Sequence, residues 1–463
     1  MEPDTFRRLA HRLVDRIADY RSGLDALPVR SPAAPGDIAA ALPASPPEAP
    51  DPAESLLDDL ERVVLPGLTH WQHPKFFGFF PANADLASVL GDLASSGFGV
   101  VGLSWMASPA LTEVEERMVD WTCQMVGLSP AWKGVIQDTA STSTLVALLC
   151  ARERATGLVF GADAPPTAVY ASAHAHSSVK KAALLAGMRW REVAVDAAYA
   201  LVPEALEAAM QADRDAGVVP AAVVLTTGTT TTTAVDPIAA VTPIAARFGA
   251  WVHVDAAMAG AAMLLPEKRW AWEGIEGVDS IVWNAHKWLG VVFDCSLYLV
   301  RDRDHLTRVM STNPSYLRSG VDDRVANLRD WGIPLGRRFR ALKLWFLIRS
   351  EGVEGLRARL RRDLANADGL ARAVAAAPGW RVLAPVPFQT VVIRHEPAGL
   401  AGEALDAHTL AWVERVNASG EALLTPAVLD GRWMARVSIG ALGTERAHVD
   451  AGWAAIRRAA EGT

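Results

Sequence analysis

Two charged residues at the ends of apolar runs are the first candidates for chemistry in this sequence. Asp255 ends the run "AWVHVD", and Lys287 ends "DSIVWNAHK", 32 residues later. Desolvation makes either charge costly to bury alone. Taken singly, Asp255 is also compatible with a local salt bridge or a helix cap, and Lys287 with a surface lysine whose stem is buried.

Together, the two residues match the needs of pyridoxal phosphate chemistry. An amine in an apolar pocket loses its proton more readily and is then a nucleophile for an aldehyde. A carboxylate opposite the pyridine nitrogen keeps that nitrogen protonated, so that the ring withdraws electrons from a carbanion. Asp255 and Lys287 therefore predict a pyridoxal 5'-phosphate site.

The stretch "IQDTASTSTLVALL" supplies a candidate site for the cofactor's phosphate. Ala140 and Ser141 fall at the predicted start of a helix, where unpaired N–H groups and the helix dipole favour an anion. Serine and threonine are also ordinary N-cap residues, so this stretch alone fits simple capping. Together with Asp255 and Lys287, this stretch indicates the phosphate-binding part of the predicted cofactor site.

Two further polar stretches have a functional and a structural interpretation. "YASAHAHSSVKKA" places His174 and His176 just before a helix. With His253 they would be metal ligands, although no recognised zinc spacing follows; alternatively, one ring stacks on the cofactor. "TTGTTTTTAVDP" is either a loop whose hydroxyls face that cofactor or a threonine-rich turn.

The elements that must position these residues alternate between strand and helix from about residue 110 to 300. This alternation predicts a parallel or mixed sheet covered by helices on both faces. Such sheets bind ligands beyond the carboxyl ends of their strands, where all of these polar features lie. A long helix over 341–375 then leads into a smaller α+β region.

Composition excludes several other classes of protein. The chain has 463 residues and a formal net charge of −7, which argues against a nucleic-acid partner. Its cysteines, Cys123, Cys150 and Cys295, are too few and too scattered for a disulfide framework and favour a reducing compartment. The N-terminus lacks the pattern of a signal peptide, and no apolar run is long enough to span a membrane. We therefore expect a cytoplasmic protein.

Seven motifs resemble the pyridoxal-phosphate-dependent aromatic-L-amino-acid decarboxylases (group II decarboxylases), in the same order and nearly end to end. They are "THWQHPKFFGFFP", "LSWMASPALTEVE", "IQDTASTSTLVALLCAR", "AHAHSSVKKA", "HVDAAMAG", "NAHKWLGVVFDCS" and "IPLGRRFRALKLWF". The resemblance implies the α/β fold of fold-type I (aspartate-aminotransferase-like) enzymes, with a mainly parallel seven-stranded sheet between helices and a small α+β C-terminal domain. It also implies an obligate homodimer with shared active sites.

The resemblance assigns three regions and a set of roles. We expect an N-terminal helical arm for dimerisation (1–84), a large cofactor-binding domain (85–345) and a small C-terminal domain (346–463). Lys287 resembles the lysine that holds the cofactor as a Schiff base, and Asp255 resembles the partner of the pyridine nitrogen. The other matching positions are His176, which stacks on the ring and orients the substrate carboxylate, Thr230 near the other face, Ala257 beside the ring, and Ala140, Ser141, Asn284 and His286 at the phosphate.

The chain departs from this family in "YLRSGVDDRVANLRDWGIPLGRRF" (316–339). The family's mobile loop here bears a tyrosine that protonates the α-carbon after CO2 is lost. Counting back from Trp331, that position holds Leu328, while Tyr316 lies at the base of the loop. Leucine cannot donate a proton. Relatives with phenylalanine at this position form an aldehyde by oxidative deamination, which is the alternative product here.

The predicted substrate pocket is apolar. Its positions are Trp71, Phe79, Phe80, Pro81, Ala82, Val101 and Leu103, the last two contributed by the partner subunit. Catechol-handling relatives carry Tyr and Thr where this chain has Phe79 and Ala82. An apolar pocket has little with which to recognise a phenol, although it does not strongly reject an added hydroxyl.

The sequence thus predicts decarboxylation of an aromatic L-amino acid, phenylalanine or tryptophan in preference to dopa, to an arylalkylamine and CO2. The alternative is decarboxylation with oxidative deamination to an aryl acetaldehyde. More remote alternatives are a non-catalytic cofactor-binding relative and a metal hydrolase that uses the histidines.

Overall fold

The computed structural model describes residues 1–157, 164–312 and 320–462. Seven strands form the larger sheet: β1 (Lys133–Gln137), β2 (Thr167–Ser172), β3 (Arg189–Val193), β4 (Val219–Thr226), β5 (Trp251–Asp255), β6 (Ser280–Asn284) and β7 (Ser296–Val300). Their order is β1-β7-β6-β5-β4-β2-β3. β7 runs antiparallel to both of its neighbours, and the pairs from β6 to β3 are parallel. The predicted mainly parallel seven-stranded sheet is confirmed.

Thirteen α-helices are described in these ranges. They are α1 (Pro3–Ser22), α2 (Asp37–Ala41), α3 (Ser55–Asp59), α4 (Leu86–Phe98), α5 (Pro109–Val126), α6 (Ala140–Thr156), α7 (Ser177–Leu185), α8 (Pro203–Asp215), α9 (Ile238–Phe248), α10 (Arg303–Met310), α11 (Arg340–Ala376), α12 (Gly402–Ser419) and α13 (Arg446–Glu461). Gly352 interrupts α11 with a left-handed backbone (φ 62°), so this helix consists of two halves.

Burial explains why the central strands are continuous apolar runs. Every residue of β2, β5, β6 and β7 is buried. Such strands need cover on both faces, and period-two alternation is then lost. The helix α6 packs on β4, β5 and β6, which places its first turn beside the ends of these strands.

The chain divides into two compact units. The first comprises Met1–Pro81, Asn366–Leu383 and Val391–Thr463, and the second comprises Ala82–Ala365 and Ala384–Thr390. A four-stranded sheet is built from β8 (Trp380–Val382), β9 (Thr390–His395), β10 (Thr425–Leu429) and β11 (Arg432–Ser438), in the order β10-β11-β9-β8. The division at residues 84 and 345 expected from the sequence stays a prediction.

In the described ranges, no helix combines the length and the apolar character that crossing a membrane requires.

Candidate active site

Asp255 ends β5 with its carboxylate buried at the carboxyl edge of the larger sheet. Its Oδ1 accepts a hydrogen bond of 3.0 Å from the backbone N–H of Ala257. Ala257 in turn accepts from the backbone N–H of Asn284 (3.0 Å), at the end of the neighbouring strand β6. The two strand ends are therefore tied together, and Asp255 lies on the same edge as the residues that follow β6.

Lys287 lies in a wide turn, Ala285–Leu289, that follows β6 directly. Its backbone leaves the helical region (φ −101°, ψ −109°), while the turn closes on Gly290 with φ 111°. Asn284, just before the turn, accepts from the Ser296 hydroxyl at 2.7 Å. Because Asn284 is also tied to Ala257, the lysine leaves the sheet from a fixed point beside Asp255.

His286 is held as a neutral hydrogen-bond donor. Its Nδ1 accepts from the backbone N–H of Cys295 at 2.8 Å. Burial, together with the neighbouring Lys287 charge, lowers the pKa of His286 to about 3. With Nδ1 occupied as an acceptor, the single proton of the neutral ring resides on Nε2. This N–H suits a phosphate oxygen, as the sequence predicts.

His176 caps the start of α7 and lies within electrostatic reach of the two central charges. Its Nδ1 accepts from the backbone N–H of Ser178 (3.2 Å) and contacts the Ser178 hydroxyl (2.7 Å). Burial lowers the pKa of His176, Asp255 raises it and Lys287 lowers it. His176 follows β2, Asp255 ends β5 and Lys287 follows β6, so all three lie at the carboxyl edge of the parallel strands.

The predicted phosphate positions Ala140 and Ser141 are the first two residues of the 17-residue helix α6. Within the described part of the chain, the Thr139 side chain at the N-cap makes no capping hydrogen bond. The first N–H groups of such a helix need acceptors, and a phosphate supplies them. The sequence-based expectation of an anion site thus agrees with an N-terminus that its own cap leaves open.

Thr230 lies in the turn that follows β4, and a buried aspartate organises this turn. Asp236 accepts from the backbone N–H groups of Thr226 (2.7 Å) and Leu201 (2.8 Å). Burial raises the pKa of Asp236 to about 6. Thr229 bonds to Thr232 and to the Ala234 N–H, both at 3.0 Å. The threonine-rich stretch is therefore an ordered loop, with Thr230 half-buried within it.

His253 has a structural role that spacing alone did not indicate. Its Nδ1 contacts the Ser280 hydroxyl (2.9 Å), which also accepts from Trp251 Nε1 (2.8 Å), and its Nε2 faces the Thr144 hydroxyl (3.4 Å). Burial lowers the pKa of His253 to about 4. The residue links β5, β6 and the first turns of α6 behind Asp255.

The structure gives the alternative metal site no support. Among residues 1–157, 164–312 and 320–462, His, Cys, Asp and Glu side chains form no group of three that could hold a metal ion. His174 packs edge-on against the ring of Tyr199 instead, with the centroids 5.3 Å apart.

Four of the predicted pocket residues lie in the first unit. Trp71 and Phe79 stack with ring centroids 5.4 Å apart, and both are partly exposed. Phe79 has a left-handed backbone (φ 51°), which is costly for a bulky residue, and its N–H donates to the Thr425 hydroxyl at 2.6 Å. Phe80 lies under the Arg436 guanidinium (4.8 Å), and Pro81 is buried.

Ala82, Val101 and Leu103 belong to the second unit. The segment that carries the last two is anchored by the Gly102 N–H, which donates to the Arg337 carbonyl at 2.8 Å. Val101 is half exposed, and Ala82 and Leu103 are partly buried. That these seven residues line one substrate pocket stays a prediction.

Leu328 lies in a packed element. It begins a 3-10 helix, Leu328–Trp331, and only 3% of its surface is exposed. Leu328 and Trp331 join the apolar core around β1 and α6. With Gln137 and Thr142 they line a cavity of about 30 Å³, too small for an amino acid. Tyr316 lies outside the described residues.

The residues present fit pyridoxal phosphate by their chemistry. Asp255 offers a carboxylate at the strand edge, His286 offers a fixed N–H, and α6 offers an N-terminus open to an anion. Lys287 follows β6 in the same turn as His286. A cationic ring nitrogen, a phosphate and an aldehyde each find a suitable partner in this set.

Comparison with known proteins gives a family and several relatives. The model of the pyridoxal-dependent decarboxylase conserved domain matches residues 35–395. Tryptophan decarboxylase 2 from Oryza sativa subsp. japonica is 39% identical over 99% of this chain and 95% of its own length. Phenylacetaldehyde synthase from Arabidopsis thaliana is 38% identical over 99% and 96%, respectively. The crystal structure of Oryza sativa TDC with PLP and tryptamine matches with a TM-score of 0.97 at 39% identity, over 100% of this chain and 99% of that one.

The chain belongs to the pyridoxal-dependent decarboxylase family, whose members are carboxy-lyases. The predicted family, the fold-type I architecture and pyridoxal phosphate as cofactor are confirmed. The roles of individual residues rest on the geometry described above.

Proposed function

We propose that this protein decarboxylates an aromatic L-amino acid, phenylalanine or tryptophan in preference to dopa, to the arylalkylamine and CO2. The observation that supports the proposal is topological: His176 follows β2, Asp255 ends β5 and Lys287 follows β6, at the carboxyl ends of strands that all run parallel in the larger sheet. Relatives similar over nearly the whole chain include a tryptophan decarboxylase.

Each of these residues has a chemical task in the proposal. Bound pyridoxal phosphate supplies an electron-withdrawing ring that accepts the electrons released when the carboxyl group leaves. Lys287 would hold the cofactor through its amine, which reacts with the aldehyde. Asp255, whose Oδ1 accepts from the Ala257 N–H, would hold the pyridine nitrogen in its protonated form through its carboxylate. His176, fixed through Nδ1, presents Nε2 to the substrate carboxylate.

The preference for a ring without hydroxyls follows from the side chains at the predicted pocket. Trp71, Phe79 and Phe80 offer aromatic faces, and Ala82 offers no hydrogen-bonding group. A site without polar partners gains nothing from a catechol and leaves its hydroxyls desolvated.

Leu328 favours a second candidate, decarboxylation with oxidative deamination to the aryl acetaldehyde. In that reaction the amino acid, O2 and water give aldehyde, CO2, ammonia and hydrogen peroxide. The side chain at position 328 has no proton to donate to the α-carbon. One relative of comparable similarity is a phenylacetaldehyde synthase.

We also propose a homodimer in which both subunits contribute to each active site. The helix α4 supports this, because Leu86, Leu90 and Leu93 recur at i, i+4 and i+7 and all are exposed. The opposite face of α4 buries the small residues Ser88, Gly91 and Ser95. A helix that turns its leucines outward lacks a partner for its apolar face.

Product analysis tests the proposal. The holoenzyme is incubated with phenylalanine, tryptophan and dopa, and amine, aldehyde, ammonia and peroxide are measured. We expect amine and CO2 in equal amounts, with phenylalanine or tryptophan turned over faster than dopa. Aldehyde and peroxide equal to the CO2 released would instead establish the second candidate. Lys287→Ala should abolish turnover and the borohydride-sensitive visible absorbance, and an unchanged variant would refute both.

A further inference from the structure

The helix α11 reaches the turn that contains Lys287 through a buried aspartate. Asp363, whose side chain is fully buried, accepts a 2.9 Å hydrogen bond from Trp288 Nε1. Trp288 follows Lys287 directly and is itself fully buried. The charged neighbours of Asp363 are Arg362, 3.4 Å away, and Arg359.

One turn earlier on the same face of α11, Arg359 holds the backbone of this turn. Its Nη2 donates to the carbonyl oxygens of Trp288 (3.1 Å) and Leu289. Gly290 then passes so close to the guanidinium that an added Cβ would lie 2.9 Å from Nη1. Arg359 and Asp363 thus fix the three residues after Lys287 through both backbone and side-chain contacts.

The first half of α11 fixes the far end of the same loop. Arg340 makes a two-point contact with Asp294 (3.1 and 3.0 Å). The fully buried Lys343 lies 3.8 Å from Asp294 and 3.2 Å from Asp92. The loop from β6 to β7, which carries Lys287, is therefore held by one helix at both ends.

Stability alone is a weak reason for these charges. Buried ion pairs are often no more stabilising than apolar residues of the same volume, because both charges must be desolvated. Their value lies in geometry, since a carboxylate and a guanidinium fix hydrogen-bond directions that apolar packing leaves free. The residue enclosed by these contacts is the one whose amine must meet the cofactor.

We propose that Asp363 and Arg359 are positioning residues that set the backbone after Lys287 so that its amine is presented to the cofactor's aldehyde. This inference rests on the proposed role of Lys287. It assigns a function to two residues of α11 that lie more than seventy positions away in sequence.

The test uses the holoenzyme and the variant Trp288→Phe, which removes the indole donor and keeps the ring. Trp132→Phe is the matched control, because Trp132 is also buried in the second unit and donates to a carboxylate, Glu276 (3.1 Å). We expect Trp288→Phe to lower kcat by up to about 10²-fold with little change in KM. It should also shift the pH profile of the cofactor's visible absorbance. Trp132→Phe should leave both unchanged.

A second pair of variants distinguishes loss of this hydrogen bond from a general loss of folding. Asp363→Asn retains an acceptor for the indole and should keep the wild-type pH profile, whereas Asp363→Leu should reproduce the Trp288→Phe profile. The inference would be overturned if Trp288→Phe and Asp363→Leu kept the wild-type kcat and pH profile, or if Trp132→Phe shifted the profile equally. The proposed function would still stand in either case. A wild-type protein without borohydride-sensitive absorbance would refute the proposed function as well.

Discussion

At the scale of single residues, Leu328 is the position that we propose distinguishes the two candidate reactions. It occupies a buried apolar site beside the first turn of α6 and carries no exchangeable proton. General acid catalysis by a well-placed side chain typically contributes about 10²–10⁴-fold. Under the proposed function, a hydroxyl donor at this position would favour the amine over the aldehyde.

We predict that Leu328→Tyr raises the ratio of amine to aldehyde released from phenylalanine. Leu328→Phe is the control, because it adds similar bulk to the same packed site without a hydroxyl. Overpacking costs either variant about 1–3 kcal/mol, so the ratio of products is compared and not the rate alone. An equal ratio in the two variants would show that the hydroxyl has no part in the outcome.

At the scale of elements, α4 has its apolar face on the outside. An added Cβ on Gly91 would lie 2.6 Å from Lys343 Cα, so the inner face of α4 accepts only small residues against α11. Leu90 and Leu93 are then directed away from the unit, at 52% and 49% exposure. This arrangement is typical of an interface helix.

We predict that Leu90→Glu converts the proposed dimer into monomers and lowers activity, because a carboxylate would be buried in the interface without a partner. Sedimentation of the holoenzyme at several concentrations measures the change. The control is Leu184→Glu, a leucine near the end of α7 that is also exposed (62%). Wild-type association of Leu90→Glu would refute the interface.

At the scale of the whole molecule, burial of neutral histidines links folding to pH. Burial lowers the pKa of His73 and His253 to about 4 and of His286 to about 3. Unfolded histidines bind protons below about pH 6.5. Unfolding therefore takes up protons between about pH 6.5 and 4, and stability falls as the pH falls. Asp236 and Asp363, with pKa values raised to about 6 by burial, act in the opposite direction but are fewer.

We predict that His253→Gln weakens this dependence by about one proton, because it removes one group that titrates only after unfolding. Denaturant unfolding at several pH values between about 6.5 and 4.5 gives the slope. His11→Gln, at an exposed position of α1, should leave the slope unchanged. A slope in His253→Gln equal to that of the wild type would refute the assignment.

The sequence by itself determined the cofactor and the family, and it predicted the residues around the reacting centre. Asp255 and Lys287 were recognisable because Asp255 ends an apolar strand and Lys287 closely follows one, and parallel strands bring their carboxyl ends to one edge. The start of α6 was recognisable because anion sites at helix ends use local backbone groups. Each of these signals is carried by a few consecutive residues, so it can be recognised without the tertiary structure.

Only the tertiary structure decided what surrounds those residues. The contact of Asp363 with Trp288, the burial of Leu328 against the β1 and α6 core, and the link from His253 to Thr144 join distant segments. The outward leucines of α4 follow from the close approach of Gly91 to α11. Such contacts depend on how whole helices and strands pack against one another. The sequence around a charged or apolar residue is the same whether its side chain faces a partner or solvent, so sequence alone does not reveal the contact.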